Sequence, residues 1–134
     1  MKKLTVIFLG FMFFSTPGLG FDGEDTSISQ TGNAEAGRVV FQKCGACHNL
    51  QGNPPPRLGP NLDNIFGRMA GTSKNYTRYS RALKDSGIVW SEIEIDNWLS
   101  DPNNYLPGNK MPFAGLRAKQ DRADLIAYLR AATE

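Results

Sequence analysis

The apolar positions of this chain are distributed very unevenly. Leu4 to Phe14 is an almost continuous apolar run holding four of the eight phenylalanines, behind Lys2-Lys3 and ahead of Ser15, Gly18 and Gly20. A basic start, a short apolar stretch and a small-residue exit predict a secretory signal peptide over 1–20, cleaved after Gly20. A membrane span would need roughly 20 apolar residues. Residues 21–32 are polar, with Gly, Asp and Ser, and predict a loose N-terminal tail. From Asn33 the spacing becomes helical. Asn33 suits an N-cap, and Gly37 and Phe41 share a face at i and i+4, so a helix is predicted to about Lys43. A mid-helix Gly costs about 1 kcal/mol relative to Ala, and close crossing by another helix is its expected use.

Residues 49–79 are dense in Gly, Pro and Asn and show no sustained period, which predicts loop. A loop of that length counts against a compact domain unless it packs around something. A short helix is expected at about 80–86. Ser91-Glu92-Ile93-Glu94 is a capping box, with Trp90 and Ile95 spaced as a hydrophobic staple. That helix should reach about Ser100 and stop before Asp101-Pro102. The last helix is predicted over about 119–132, with Leu125, Tyr128 and Leu129 on one stripe, acidic Asp121 and Asp124 early and Arg130 late. No alternating run of four or more residues supports a sheet, so the fold class is all-α.

Length and charge narrow the picture. The 134 residues are a prior for one domain. Of 15 basic residues, two belong to the predicted signal peptide, leaving 13 against 13 acidic ones. A global basic footprint for nucleic acid is thereby excluded. Two cysteines exclude a disulfide-dense scaffold.

Those two cysteines sit in Cys44-Gly45-Ala46-Cys47-His48, with the only histidine. Two cysteines separated by two residues and followed by His read as covalent c-type haem attachment. Each thiol can add to one of two neighbouring vinyl groups, one helical turn sets both sulfurs along one porphyrin edge, and His48 then reaches the iron. Small Gly45 and Ala46 let the ring approach the backbone. A zinc site normally takes four Cys or His ligands, and the chain has three. A thioredoxin-like motif needs a βαβ setting, which the pattern lacks. A plain exported disulfide stays open as the lesser reading. With no second His, the usual ligand for the other side of an electron-transfer iron is Met. After residue 20 the methionines are Met69 and Met111. Met111 lies in the stiff Pro107-Gly108-Asn109-Lys110-Met111-Pro112 turn and is expected to ligate. Met69 is read as a flexible core filler.

At this point the chain resembles the class I cytochromes c, specifically small soluble bacterial members close to mitochondrial cytochrome c. The resemblance spans about 34–133. It is carried by Phe41-Gln42-Lys43-Cys44-Gly45-Ala46-Cys47-His48, Gly59-Pro60-Asn61-Leu62, Phe66-Gly67-Arg68, Gly87-Ile88-Val89-Trp90, Pro107-Gly108-Asn109-Lys110-Met111 and Ala123-Asp124-Leu125-Ile126-Ala127-Tyr128-Leu129. It implies three main helices and long loops wrapped around one haem, in a domain over 33–134. It implies that the Pro60 carbonyl accepts from the free ring nitrogen of His48, a contact that orients the ligand and raises its basicity. Tyr79, Trp90 and Arg68 would bind or neutralise a haem propionate, and Phe113 would screen the Met side. Gly37, Phe41, Leu125 and Tyr128 would join the first and last helices. The chain departs from the family where Trp98 stands for the usual Tyr beside the Met ligand. Pro54-Pro55-Pro56 occupies a loop that often carries a His, and Leu83 replaces a polar Asn.

The function implied is a periplasmic one-electron Fe(III)/Fe(II) shuttle between respiratory or other redox proteins, monomeric, with no small-molecule substrate and no enzyme activity. Partners would dock at the haem edge, where the family pattern sets Lys43, Arg57, Lys110, Arg117 and Lys119. Arg38 and Arg130 fall on the far side. The rival is a haem-based gas binder or peroxidase-like enzyme with Met111 off the iron. Without its haem, the fold should show a gap lined by Cys47, His48, Leu62, Trp90, Leu99 and Met111.

Overall fold

Asn33 begins the first helix as its sequence predicts. In the computed structural model, which describes residues 32–133, its side chain accepts from the Ala36 N–H at 3.0 Å and opens α1 (Ala34–Val40). A turn residue at Phe41, itself with helical dihedrals, separates α1 from α2 (Gln42–Gly45), so the predicted helix runs in two pieces. Residues 49–79 hold no helix, as expected. Then come α3 (Arg81–Asp85), capped by Ser80, and α4 (Glu92–Ser100), capped by Ser91. A one-turn helix that the pattern did not disclose, α5 (Pro102–Tyr105), follows under an Asp101 cap with Pro at its first turn. Finally α6 (Lys119–Thr133) closes the chain. Among the described residues there is no strand, only an isolated antiparallel bridge between Met69 and Val89.

The capping box at α4 forms by half. Ser91 Oγ accepts from the Glu94 N–H at 3.1 Å, but the Glu94 carboxylate accepts from the Tyr105 hydroxyl instead of returning to the cap. The staple residues Trp90 and Ile95 are both buried.

The first and last helices cross closely, and Gly37 is the reason. A Cβ there would lie 1.9 Å from the Asp124 carbonyl oxygen and 2.7 Å from Tyr128 Cβ. The Phe41 and Tyr128 rings meet beside it, centroids 5.6 Å apart. Asp124 adds a polar fastening, its Oδ1 accepting from the Asn33 N–H at 2.7 Å. Leu125, Ile126 and Leu129 turn the other face of α6 into the core, with Ile95, Trp98 and Leu99 of α4. Arg122 of α6 is also buried. Its Nε donates to Asp96 of α4 at 2.8 Å, and its Nη1 to the Leu116 carbonyl at 2.8 Å.

The long loops are shaped by polar fastenings rather than by regular structure. Bonds from Gly67 N–H to the Trp90 carbonyl, Trp90 N–H to the Arg68 carbonyl, and Ala70 N–H to the Ile88 carbonyl set 67–70 against 88–90. Buried Asn61 holds the proximal loop: its Nδ2 donates to the Pro54 carbonyl at 2.7 Å, and its Oδ1 accepts from Asn49 Nδ2 at 3.0 Å. Asn49 Nδ2 also donates to the Pro55 carbonyl. The triproline loop is thus tied down by two amides.

Candidate functional site

The site is built from two stretches far apart in the sequence. The first is the turn after α2, where the N–H groups of Cys47 and His48 both donate to the Cys44 carbonyl, at 2.9 and 3.0 Å. This one turn brings the two thiols to one wall of a cavity, and both are unpaired cysteines. Burial pushes the Cys44 thiol above the usual range. The returning chain is laid against this turn by the Gly59 N–H on the Cys47 carbonyl at 2.8 Å. Only Gly fits there, because a Cβ at residue 59 would stand 2.4 Å from His48 Cε1.

His48 Nδ1 and the Pro60 carbonyl oxygen are 2.7 Å apart. A carbonyl can only accept, so Nδ1 carries the proton and donates. Burial pulls the His48 pKa below the ordinary histidine range, against the smaller opposing effect of the Pro60 carbonyl. The imidazole is therefore neutral at pH 7, with its Nε2 lone pair available to a metal.

The second stretch is the loop between α5 and α6. It brings Met111 and Phe113 to the same cavity, beneath Trp98 and Leu99 of α4. All six residues expected around the gap, Cys47, His48, Leu62, Trp90, Leu99 and Met111, line it. The donor set fits haem: two free thiols one turn apart, a neutral imidazole, a thioether and walls of mainly apolar side chains. The fit is tight enough that a single methyl at Gly59 would collide with the imidazole.

Arg68, Tyr79 and Trp90 also line the cavity. Arg68 is already engaged, its Nη2 donating to the Asn61 carbonyl at 2.9 Å, and it lies 3.8 Å from the Asp63 carboxylate. The Tyr79 hydroxyl accepts from the Ser73 N–H at 3.1 Å. Trp98 is buried, with its ring edge-on to Trp90 and to Tyr105. Leu83 lines the cavity too.

Met69 corrects an expectation. It is 51% exposed and fills no core, because its backbone is held in the bridge to Val89 and its side chain turns toward the cavity rim. Of the five basic residues expected at the haem edge, Lys43 and Lys110 line the cavity. Arg57 is held by Asn49 Oδ1 at 2.7 Å and the Gly45 carbonyl at 3.1 Å. Arg117 and Lys119 are exposed and do not line the cavity. Arg38 pairs with Glu35 and Arg130 with Glu92, both at 2.7–2.8 Å. The sequence reading gave no role to Asn61, Asn109 or Arg122. Asn61 and Asn109 lie inside quoted motifs, and an Asn in a turn-rich loop is itself a signal for side-chain bonding to backbone.

Residues 34–133 match the family model for cytochrome c. The chain belongs to the cytochrome c family. Cytochrome c of Gossypium barbadense is 45% identical over 103 residues, which are 76% of this chain and 92% of that protein. A cytochrome c homolog of Bradyrhizobium diazoefficiens is 37% identical over 107 residues, 80% of this chain and 58% of that protein. In structure, the chain is similar to cytochrome cH from Methylobacterium extorquens, with a TM-score of 0.69 and 38% identity over 75% of this chain and 99% of that one. This cytochrome c accordingly has the class I fold and carries covalent haem c through Cys44 and Cys47. It is a haem-based electron carrier that works with redox partners, and not an enzyme. That sets aside the disulfide and the peroxidase-like readings. No helix among the described residues is long and apolar enough to cross a membrane. The signal peptide and tail expected over 1–32 fall outside the described residues, apart from Gly32.

Proposed function

We propose that this cytochrome c is a monomeric periplasmic shuttle whose haem iron is held between His48 and Met111. On this reading residues 1–20 are a signal peptide, 21–32 a tail and 33–134 the cytochrome domain. The observation that carries it is the meeting of His48, its ring fixed by Pro60, with Met111 in one cavity. Haem supplies the one-electron Fe(III)/Fe(II) couple. The chain's residues do the rest. Pro60 keeps Nδ1 protonated, so that Nε2 faces the metal and stays basic. Met111 would hold the iron by its thioether in both oxidation states, which would limit reorganisation and leave no site for dioxygen. The thioether and apolar walls favour a raised potential. Arg68, Tyr79 and Trp90, which line the cavity, would partner the propionates, and Phe113 would screen the Met side. Lys43 and Lys110 at the cavity mouth form the centre of the docking face, with Arg57, Arg117 and Lys119 around it.

The test uses the exported, oxidised protein. A weak near-infrared sulfur-to-iron band and a low-spin spectrum are expected. Mass spectrometry should find one haem that resists acid-acetone extraction and a chain shortened by the predicted twenty residues. A high-spin spectrum would remove Met111 from the iron, and an unshortened chain would remove cleavage at Gly20.

A further inference from the structure

Met111 follows α5 by only a few residues, and one side chain organises the backbone between them. Asn109 Nδ2 donates to the Pro102 carbonyl at 2.9 Å and to the Leu106 carbonyl at 3.0 Å, the two ends of α5. Its Oδ1 accepts from the Met111 N–H at 2.8 Å. A longer approach to Asn103 Oδ1, at 3.4 Å, adds little. Asn109 is half-buried and itself lines the cavity. Its amide therefore couples a helix, held in the core by buried Pro102, to the main chain of Met111. Downstream, the strap is fastened to another element at Leu116, whose N–H donates to the Leu99 carbonyl at 2.7 Å, and by Arg122 on the Leu116 and Arg117 carbonyls. Met111 thus sits immediately beside one anchor and well short of the other.

We propose that Asn109 is the positioning residue of the Met111 thioether, an inference that rests on Met111 being the axial ligand. Both donor and acceptor ends of the amide are used, so the Met111 backbone follows α5 rather than sampling its own conformations. Without that tie, Pro107, Pro112 and the Asn109 N–H on the Leu106 carbonyl at 3.1 Å still hold the turn at the end of α5, but the Met111 N–H loses its link to α5. Conformers with the sulfur away from the metal then gain population. An outside ligand binds only to those conformers, and its apparent affinity rises in proportion to their fraction. Losing hydrogen bonds of this kind corresponds to roughly a tenfold change in that fraction.

The experiment compares the haem-loaded wild type with Asn109→Ala, Asn109→Ser, Asn103→Ala and Met111→Ala. Three quantities are read: the sulfur-to-iron band against temperature, helix melting by far-ultraviolet circular dichroism, and imidazole titration of the oxidised protein. Asn109→Ala should lose its band well below the temperature at which its helices melt. It should also bind imidazole about tenfold more tightly than wild type. Asn109→Ser, which keeps one donor and acceptor, should recover part of both effects, and it carries the test if the Ala variant does not fold. Asn103→Ala should match wild type. The proposal is overturned if Asn109→Ala keeps the wild-type band and affinity. It is overturned equally if band and helices melt together in both Asn109 variants, or if Asn103→Ala shifts as far. Met111→Ala separates the two levels: a band that survives it removes the ligand assignment itself, whereas a band lost there but unaffected at Asn109 removes only the positioning role.

Discussion

At the residue scale, the site depends on a few atoms that leave little room for substitution. Met111 and Met69 both reach the cavity lining, and a side chain bonds the backbone of each, Asn109 Oδ1 accepting from the Met111 N–H and the Thr72 hydroxyl donating to the Met69 carbonyl, but Met69 is 51% exposed. Met111→Ala should open the sixth position, lower the potential and admit cyanide, carbon monoxide or nitric oxide, while the haem stays attached through Cys44 and Cys47. Met69→Ala should do none of this, as optical titration and voltammetry can check; loss of the sulfur-to-iron band in Met69→Ala alone would reverse the assignment. The attachment motif and the Met111 loop were readable because their residue types are demanded by chemistry and their spacing is local. Arg122 was not readable, because the Asp96 carboxylate is brought to it only by the tertiary fold, and Asn61 and Asn109 gave only the general signal of an Asn in a turn, not the partners each would take.

At the element scale, the helices were legible where caps and periods agree. Asn33, Ser80 and Ser91 cap as their types suggest. One-turn α5 escaped because four residues give no period, and Glu94 left its capping box because Tyr105, eleven positions on, offered a competing donor. Met69 was misjudged for a similar reason: a bridge to Val89 set its direction, not its hydropathy. The two tight junctions between helices should respond differently to change. Gly37→Ala forces a methyl onto the Asp124 carbonyl and should cost about 2 kcal/mol or more by overpacking. Arg122→Leu strips Asp96 and the buried Leu116 carbonyl of their donor and should cost about 2 kcal/mol, the scale for leaving a buried acceptor unsatisfied. Urea unfolding of each variant measures both, and losses below about 0.5 kcal/mol, the range of ordinary surface substitutions, would mean that these junctions are slack.

At the scale of the whole molecule, the 13 basic and 13 acidic side chains after residue 20 are balanced in number but not in use. Arg38 and Arg130 are paired with carboxylates. Lys43 and Lys110 instead line the cavity. Uneven placement steers association even at zero net charge, and exposed charges are screened beyond about 8 Å at physiological salt. The rate of electron transfer to an acidic-faced partner should therefore fall as salt rises. Charge reversal at Lys43 or Lys110 should slow it more than reversal at Arg38 or Arg130, with spectrum and potential unchanged. Stopped-flow oxidation across a salt series reads this, and a flat response or equal losses would make docking mainly apolar.

The crossing of α1 and α6 joins the two ends of the described chain: the Asn33 N–H reaches a carboxylate 91 positions later. Closing so long a loop is an entropic debt that local contacts cannot settle in advance, and topologies dominated by distant pairings assemble slowly. During synthesis the α6 segment emerges after α1, so α1 has no partner until then. Until then Cys44 and Cys47 remain on an open chain, accessible to whatever machinery must modify them. The same geometry makes the fold indivisible, and a chain cut before Lys119 should remain a nascent, protease-sensitive polymer rather than a smaller cytochrome.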